Sequence, residues 1–458
     1  EQGVLVLGAP FGNRAFVQEQ LRRKSGEHAK LLERIPDVPD AQSSWLLLLF
    51  CANARCNYLL RMLPPSEARD FAIRHDAAMR GCMARLLATE GPAQINDLQW
   101  RRAQVQLRRG GLWLRSADRL RFAAHWASWA DTLAMVRVRN PAVAQLWIEQ
   151  LGAGAAAAAP CVREATQASA VLQAAGFVTP AWQTLAEGAE PQQDQEDPTR
   201  ELGDFTRGWQ RAASIPRDAA EEESLLYDLD GTSRALLLSQ GGTYAGKHLT
   251  ALPTAAEFRI PSSHFRVLLL RRLRMALPLT ARCCHCRRFL DPFGDHRAAC
   301  ARAGVLGSRG LPLERAAARM CREAGARVVE NVFLRDMNLD VPIRDDRRIE
   351  FAANGLLRWG GVQLAIDTTL VCPVRADGAA RARADRVPGV ALQEATRRKR
   401  SRAHREVRGA RRCRLVVLGF EVGGRWAEEA VDLLRRLTRA RARQAPVYLR
   451  TATAQAFA

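Results

Sequence analysis

From residue 313 onward, the spacing of apolar positions changes period in a definite order. Leu313, Ala316, Ala317, Met320, Cys321 and Ala324 recur at helical spacing behind the loop Gly310-Leu311-Pro312. Arg327 to Leu334 is β-branched enough to predict a strand. Two more strand-like runs, Arg348 to Phe351 and Val362 to Cys372, flank the turn pair Asn354-Gly355. Leu392 to Val407 predicts a polar, Arg-rich helix. Cys413 to Val422 (CRLVVLGFEV) is the clearest strand in the chain, closed by Gly423-Gly424, and Trp426, Ala430, Leu433, Leu434 and Leu437 stripe a last helix. The order is helix, three strands, helix, strand, helix. Glu350 lies inside the first central run and Asp367 inside the second, and paired carboxylates on adjoining strands are a common way to hold a divalent metal.

Upstream, the pattern is mostly helical. Val4 and Val6 with the turn Gly8-Ala9-Pro10 predict a short strand and turn, followed by helical patterns through Arg14 to Ile35, Ser44 to Leu63 and Glu67 to Leu87, punctuated by Pro36, Pro39 and Pro64-Pro65. His125, Trp126 and Trp129 share one helical face and read as core residues of a bundle. Residues 151–235 contain GAGAAAAAP and the acidic EGAEPQQDQEDP, which predict a flexible connector with one or two helices. The expected organisation is multidomain, α plus α/β. A helical region spans 1–150, a connector 151–235, a basic segment with a small zinc module 236–305, and an α/β domain 306–458. The longest apolar run, Trp45 to Phe50, is far too short to span a bilayer, so no membrane partner is expected. The chain begins at Glu1 and runs at once into an apolar stretch, which leads us to expect a piece of a longer polypeptide.

Charge changes this picture. The chain of 458 residues carries a formal net charge of +21, and residues 258–458 hold 41 Lys plus Arg against 19 Asp plus Glu, while residues 1–257 hold 28 against 29. A GC-rich genome would explain why only Lys24, Lys30, Lys247 and Lys399 are lysines. It does not explain a balanced first part and a basic second. A basic surface of this size gains affinity for a phosphate backbone by releasing counterions, so nucleic acid is the expected partner. HFRVLLLRRLRM (His264 to Met275) and EATRRKRSRAHRE supply candidate phosphate contacts at Arg271, Arg272, Arg274, Arg397, Arg398 and Arg400.

The most specific motif lies between these segments. Cys283-x2-Cys286 followed after nine residues by His296-x3-Cys300 has the paired spacing that closes a tetrahedral zinc site, with Cys284 or His285 able to replace a neighbour. Eleven cysteines without a secretory signal argue for thiols and against disulfides. A closed Cys3His set leaves no open coordination position, so this zinc would be structural or nucleic-acid binding.

Together, LTALPT (Leu249 to Thr254), HFRVLLLRRLR, CCHCRRFLDPFGDHRAAC, RRIEFAANGL and LAIDTTLV resemble the C-terminal half of the polyproteins of non-LTR retrotransposons that encode a restriction-like endonuclease. The opening VLVLGAPFGNR is similar to the segment that leaves the polymerase palm for the thumb. The resemblance implies a thumb-like helical region, a zinc knuckle and a restriction-endonuclease-like domain. It also implies target DNA and element RNA as partners, an upstream polymerase part of the same polyprotein, and a nuclear location. No palm with paired aspartates is present, so this chain is not expected to polymerise alone. In the nuclease, Glu350 and Asp367 would bind a catalytic Mg²⁺ and Lys399 would orient or help activate water, with Asp345 and Asp346 as alternative first carboxylates. Two departures stand out: Ile349-Glu350 replaces the family's Pro-Asp, and Asp367-Thr368-Thr369 replaces the superfamily's Asp/Glu-x-Lys. Lys399, the only lysine after residue 247, is the one candidate substitute for the missing positive charge. A non-enzymatic, zinc-containing nucleic-acid-binding remnant is the alternative.

Overall fold

The computed structural model describes residues 2–457 except 89–93, 158, 192–207, 280–281, 304–305, 338, 357–358, 404, 409 and 411. The protein is mixed α/β with two small sheets, and its chain divides into two compact units. The first comprises Glu1–Gln106, Leu112–Asp228 and Leu249–Leu273, and the second Leu107–Gly111, Leu229–His248 and Arg274–Ala458.

The first unit is helical behind a short antiparallel hairpin, β1 (Gly3–Val6) and β2 (Ala9–Gly12). Caps written in the sequence start its helices: the Asn13 side chain accepts from the Phe16 N–H at the head of Arg14–Arg34, and Asn96 and Gln99 form a capping box at Asp97–Gln104. The Ala117–Arg139 helix is capped by Ser116 and also by the half-buried Asp76 carboxylate, which accepts from the Ala117 N–H at 2.8 Å and the Ser116 hydroxyl at 2.8 Å. Trp126 at its centre is fully buried, with Phe177 and Trp209 packed edge-on at 5.2 and 5.8 Å. His125 is buried beside it, as a core residue should be.

Two expectations are corrected here. The helices Pro160–Ala174, Trp182–Ala186 and Trp209–Asp228, expected in a flexible connector, contribute Ala165, Ala168, Leu172, Leu185, Trp209 and Ala213 to the core around Trp126. Alanine lets these helices approach closely, so a composition that looks like a linker packs tightly. Most of the acidic run EGAEPQQDQEDP lies outside the described residues. The expected 236–305 module is also divided, because the buried Gln42 amide donates to the Ala251 and Phe258 carbonyls at 3.0 Å each and accepts from the Ile260 N–H at 2.9 Å. Trp45 adds an indole hydrogen bond to the Leu249 carbonyl at 2.8 Å. These bonds tie 249–273 to the helical unit.

In the second unit, a four-stranded sheet runs in the order β3 (Arg327–Phe333), β4 (Arg348–Asn354), β5 (Gln363–Val371), β6 (Cys413–Glu421). The first two pairings are antiparallel and β5–β6 is parallel through nine residue pairs. A parallel neighbour requires a crossover, supplied by the Val390–Arg398 and Arg405–Arg408 helices. Alternation along the strands sorts the faces. Phe351, Ala353, Leu364 and Ile366 pack with the Leu306–Glu323 and Glu428–Gln444 helices, whereas Ala352 and Ala365 pack with Val407 of the crossover. Glu350 and Asp367 share the parity of Ala352 and Ala365, which aims both carboxylates at the crossover side. The helix Gly231–Ser239 belongs to this unit too: Ala235 and Leu236 pack on Cys372, Val374 and Ala384, and the Thr232 hydroxyl donates to the Gly378 carbonyl at 2.8 Å. No helix among the described residues is long and apolar enough to cross a membrane.

Candidate acid pair and metal centre

The β4–β5 register, Phe351 against Ile366 and Ala352 against Ala365, sets Glu350 opposite Asp367 when extended by one residue. Asp367 is buried, only 4 % exposed, and Glu350 is half-buried. Their side chains hydrogen-bond to each other, and the Thr368 N–H donates to Glu350 Oε2. Burial first, then the adjacent Asp367 carboxylate, pushes the Glu350 carboxyl up to about 8. Of the two acids, Glu350 is therefore the one that keeps a proton more readily.

Lys399 completes the group. Its Nζ donates to Asp367 Oδ1 at 2.7 Å and to the Thr368 carbonyl, and lies 3.7 Å from Glu350 Oε1. The sequence predicts one helix from Leu392 to Val407, but the chain widens into a π-turn at Lys399–Ala403. Such turns rotate the following side chains and recur at functional sites. Glu429 holds this turn: its carboxylate accepts from Arg400 and from the Val417 N–H at 3.0 Å. Glu314, on the first helix of this unit, was not expected at the site. Burial, opposed by Lys399 and reinforced by Asp367, keeps its carboxyl above the usual range, so it shares the electrostatic field of the pair. No local spacing in the sequence links Glu314 or Glu429 to β5. The alternatives Asp345 and Asp346 are drawn off elsewhere, Asp345 by Arg347 at 2.6 Å and Asp346 by Arg335 at 2.9 Å.

The metal centre assembles with one changed ligand. Cys284, Cys286, His296 and Cys300 bring their ligand atoms within 4.8 Å of one another and could hold a metal ion such as zinc. Cys284 Sγ lies 3.9 Å from Cys300 Sγ, close to the separation of about 3.8 Å that Zn–S bonds of about 2.3 Å give in a tetrahedron, and Cys286 Sγ lies 3.1 Å from His296 Nε2. Cys283, expected as the first ligand, is exposed and bridges backbone with Phe289. The reason is the local hairpin, in which the Cys284 N–H bonds the Arg288 carbonyl at 2.8 Å and alternate residues face opposite sides. Cys284, on the opposite side of the backbone from Cys283, is the one that meets Cys286, His296 and Cys300 across the turn 285–286. The Cys286 backbone N–H and then the His296, Cys286 and Cys300 side chains hold the Cys284 thiol down at about 6, which favours the thiolate a metal binds. Asp291 accepts from the Phe293, Asp295 and His296 N–H groups and fixes the short helix that carries His296. His296 Nδ1 donates to the Ala376 carbonyl at 2.7 Å, which leaves Nε2 for the metal.

The basic candidates separate. Arg397 and Arg398 are exposed beside Glu394, at 2.5 and 2.8 Å, and Arg271 is partly exposed. Arg272 corrects expectation: it is buried with Phe265, Leu269 and Leu273, and burial brings its guanidinium down to about 9, so it offers nothing to a backbone phosphate. Arg274 ion-pairs with Asp295 and stacks 4.0 Å over Phe293, and Arg400 is committed to Glu429. No protein-family model matches the chain, and no curated protein matches it either.

Proposed function

We propose that this chain belongs to a non-LTR retrotransposon polyprotein and that its second unit nicks DNA to prime reverse transcription, with basic surface and knuckle gripping nucleic acid. The observation that carries this reading is the pairing of Glu350 and Asp367 across β4 and β5 with Lys399 Nζ between them. The sheet order, with its acids on the second and third strands of a four-stranded mixed sheet, supports a restriction-endonuclease-like domain. Glu350 and Asp367 would hold a Mg²⁺, which when bound polarises the scissile phosphate and lowers the pKa of the attacking water. The two acids are a fit donor set, because the buried Asp367 and the half-buried Glu350 sit against each other and both gain by the approach of a divalent charge. Lys399, arriving from the crossover, supplies the positive charge that Thr369 lacks and donates to the reacting phosphate region from one side. Arg397 and Arg398, exposed on the helix that leads into Lys399, would offer charge to the nucleic-acid backbone. A nuclear location and an upstream polymerase part follow from the same reading.

The competing reading, a binding remnant with an eroded site, draws on the closed Lys399–Asp367 ion pair, which satisfies the acids without any metal. Nicking of supercoiled plasmid by the full chain with Mg²⁺ separates the two. Activity should be lost in Asp367→Ala and fall about 100-fold in Lys399→Met. Wild-type protein that binds plasmid and leaves it supercoiled at every Mg²⁺ concentration would reject the enzyme and leave the remnant.

A further inference from the structure

The Val390–Arg398 helix of the second unit runs into four successive cations, Arg397, Arg398, Lys399 and Arg400, and the next residue is Ser401. The run divides by what each side chain holds. Lys399 is taken by Asp367 and the Thr368 carbonyl, and Arg400 by Glu429. Arg397 and Arg398 stay exposed, at 2.5 and 2.8 Å from Glu394 one turn earlier. Glu394, Arg397, Arg398 and Ser401 together line a concavity of about 460 Å³. Two guanidiniums that already converge on one carboxylate are placed to converge on a second anion in that space. Ser401 follows them by four and three residues, the spacing at which side chains meet on one helical face, and it stands exposed on the π-turn Lys399–Ala403.

Exposure sets this serine apart. Seven serines and threonines follow an arginine by three residues. Among them Ser214 and Thr438 are buried, Ser25, Thr166, Ser262 and Thr453 are half-buried, and Ser401 alone is exposed. Cations at fixed distances before a hydroxyl are what a kinase with an acidic peptide groove reads by charge complementarity.

We propose that Ser401 is a phosphorylation site for such a serine kinase, and that its phosphate, seated between Arg397 and Arg398, weakens the grip of this helix on duplex DNA. In the transfer, Ser401 Oγ bonds to the γ-phosphorus of ATP, the bond from that phosphorus to the bridging oxygen breaks, ADP leaves with the electron pair, and the hydroxyl proton passes to the kinase's base. The phosphate brings about two negative charges at neutral pH. Glu394, Arg397 and Arg398 sum to about +1 without it and to about −1 with it, so a surface that attracts a nucleic-acid backbone comes to repel one. Lys399 and Arg400 keep their own partners, so the modification acts on DNA binding and leaves the acid pair assembled. The proposal rests on the nicking reading above and adds its regulation.

The test treats the full chain with ATP and the catalytic subunit of cyclic-AMP-dependent protein kinase, and maps phosphate by mass spectrometry. Ser401 should be modified in the wild type, and Arg398→Gln should slow its modification about tenfold. Modified protein should bind a labelled duplex about tenfold more weakly, with the slope of log affinity against log salt lower by about 2, at about 0.9 per phosphate contact. Nicking should fall in step at low plasmid concentration, recover at saturating plasmid, and return in full after phosphatase. Ser401→Ala, treated or untreated, should bind and nick as the unmodified wild type does. A free peptide of residues 394–403 serves as control. If the peptide takes phosphate and the folded chain does not, the hydroxyl is closed to the kinase; if neither does, the run is not read as a substrate; either result overturns the proposal. Phosphate on Ser401 with unchanged duplex affinity overturns it too. An unmodified wild type that binds duplex and never nicks removes the nicking reading and leaves the switch to be judged by affinity. One that binds no duplex removes the nucleic-acid reading, and the switch with it.

Discussion

His28 and His75 show how much a single buried group can set. Their rings meet edge-on with centroids 5.8 Å apart, His28 also against Phe71, and both His75 nitrogens lack a hydrogen-bond partner among the described residues. Burial pulls both imidazoles down to about 4. Because these bases titrate lower in the folded state than their ordinary value of 6.5, the unfolded chain takes up their protons first. Their contribution to stability is complete above pH 6.5 and is lost as pH falls toward 4. His75→Leu should remove up to about 3 kcal/mol of that acid-side loss, read as a flatter dependence of urea midpoint on pH between 6.5 and 4. A dependence as steep as wild type would show that other groups govern acid unfolding. The same scale shows what residues alone could reveal. Asp367 stood out because an acid inside QLAIDTTLV needs a partner, and Lys399 because it is the only lysine in that part of the chain. Cys283 and Cys284 could not be separated by spacing, since the choice depends on which side of a hairpin each one faces.

The strands of the second unit were legible as elements because their periods change cleanly from 3.6 to 2 and back. The π-turn was not, since a helix that widens by one residue leaves the apolar pattern nearly intact. Two tests address how this crossover is held. A Cβ at Gly419 of β6 would sit 2.7 Å from Leu392 Cδ1 and 3.1 Å from Thr396 Oγ1, both on the crossover helix. Gly419→Ala should therefore cost about 1–3 kcal/mol, measured by thermal melting, and an unchanged melt would mean that the helix sits farther from the strand. Glu429→Ala removes the acceptor shared by Arg400 and the Val417 N–H. With Lys399 one residue from Arg400, nicking should drop about tenfold while oligonucleotide affinity holds. A parallel loss of both would point to general unfolding of the unit.

At the scale of the whole molecule, the basic second part was evident from charge counts, whereas the division into units was not. Gln42 and Trp45 reach residues more than two hundred positions away, and no local pattern announces such a pairing. The Ala-rich stretch misled for a related reason: composition cannot distinguish a helix that packs from a chain that does not. The metal centre supplies a molecular-scale test. If the Cys284, Cys286, His296 and Cys300 cluster holds zinc, as proposed, a chelator should raise hydrogen exchange at 282–300 and, through His296 and Ala376, at 374–380, with the Trp126 core of the first unit unaffected. Protection unchanged at 374–380 would show that the Cys/His cluster and that turn are uncoupled.

The interleaving of the two units has a consequence for synthesis. The first unit has all of its segments once residue 273 has emerged, but Leu107–Gly111, already made by then, belongs to a unit whose sheet has not yet been translated. Arg109 meets its bridge partner Gly241 after a delay of about 130 residues, and the sheet itself waits for β6. At roughly 5–20 residues per second, the segments 107–111 and 229–248 pass on the order of ten seconds or more without the strands they will pack against. A ribosome making this protein thus holds a finished helical body that carries the first pieces of the next one, and the second unit can be obtained whole only from a chain that includes both.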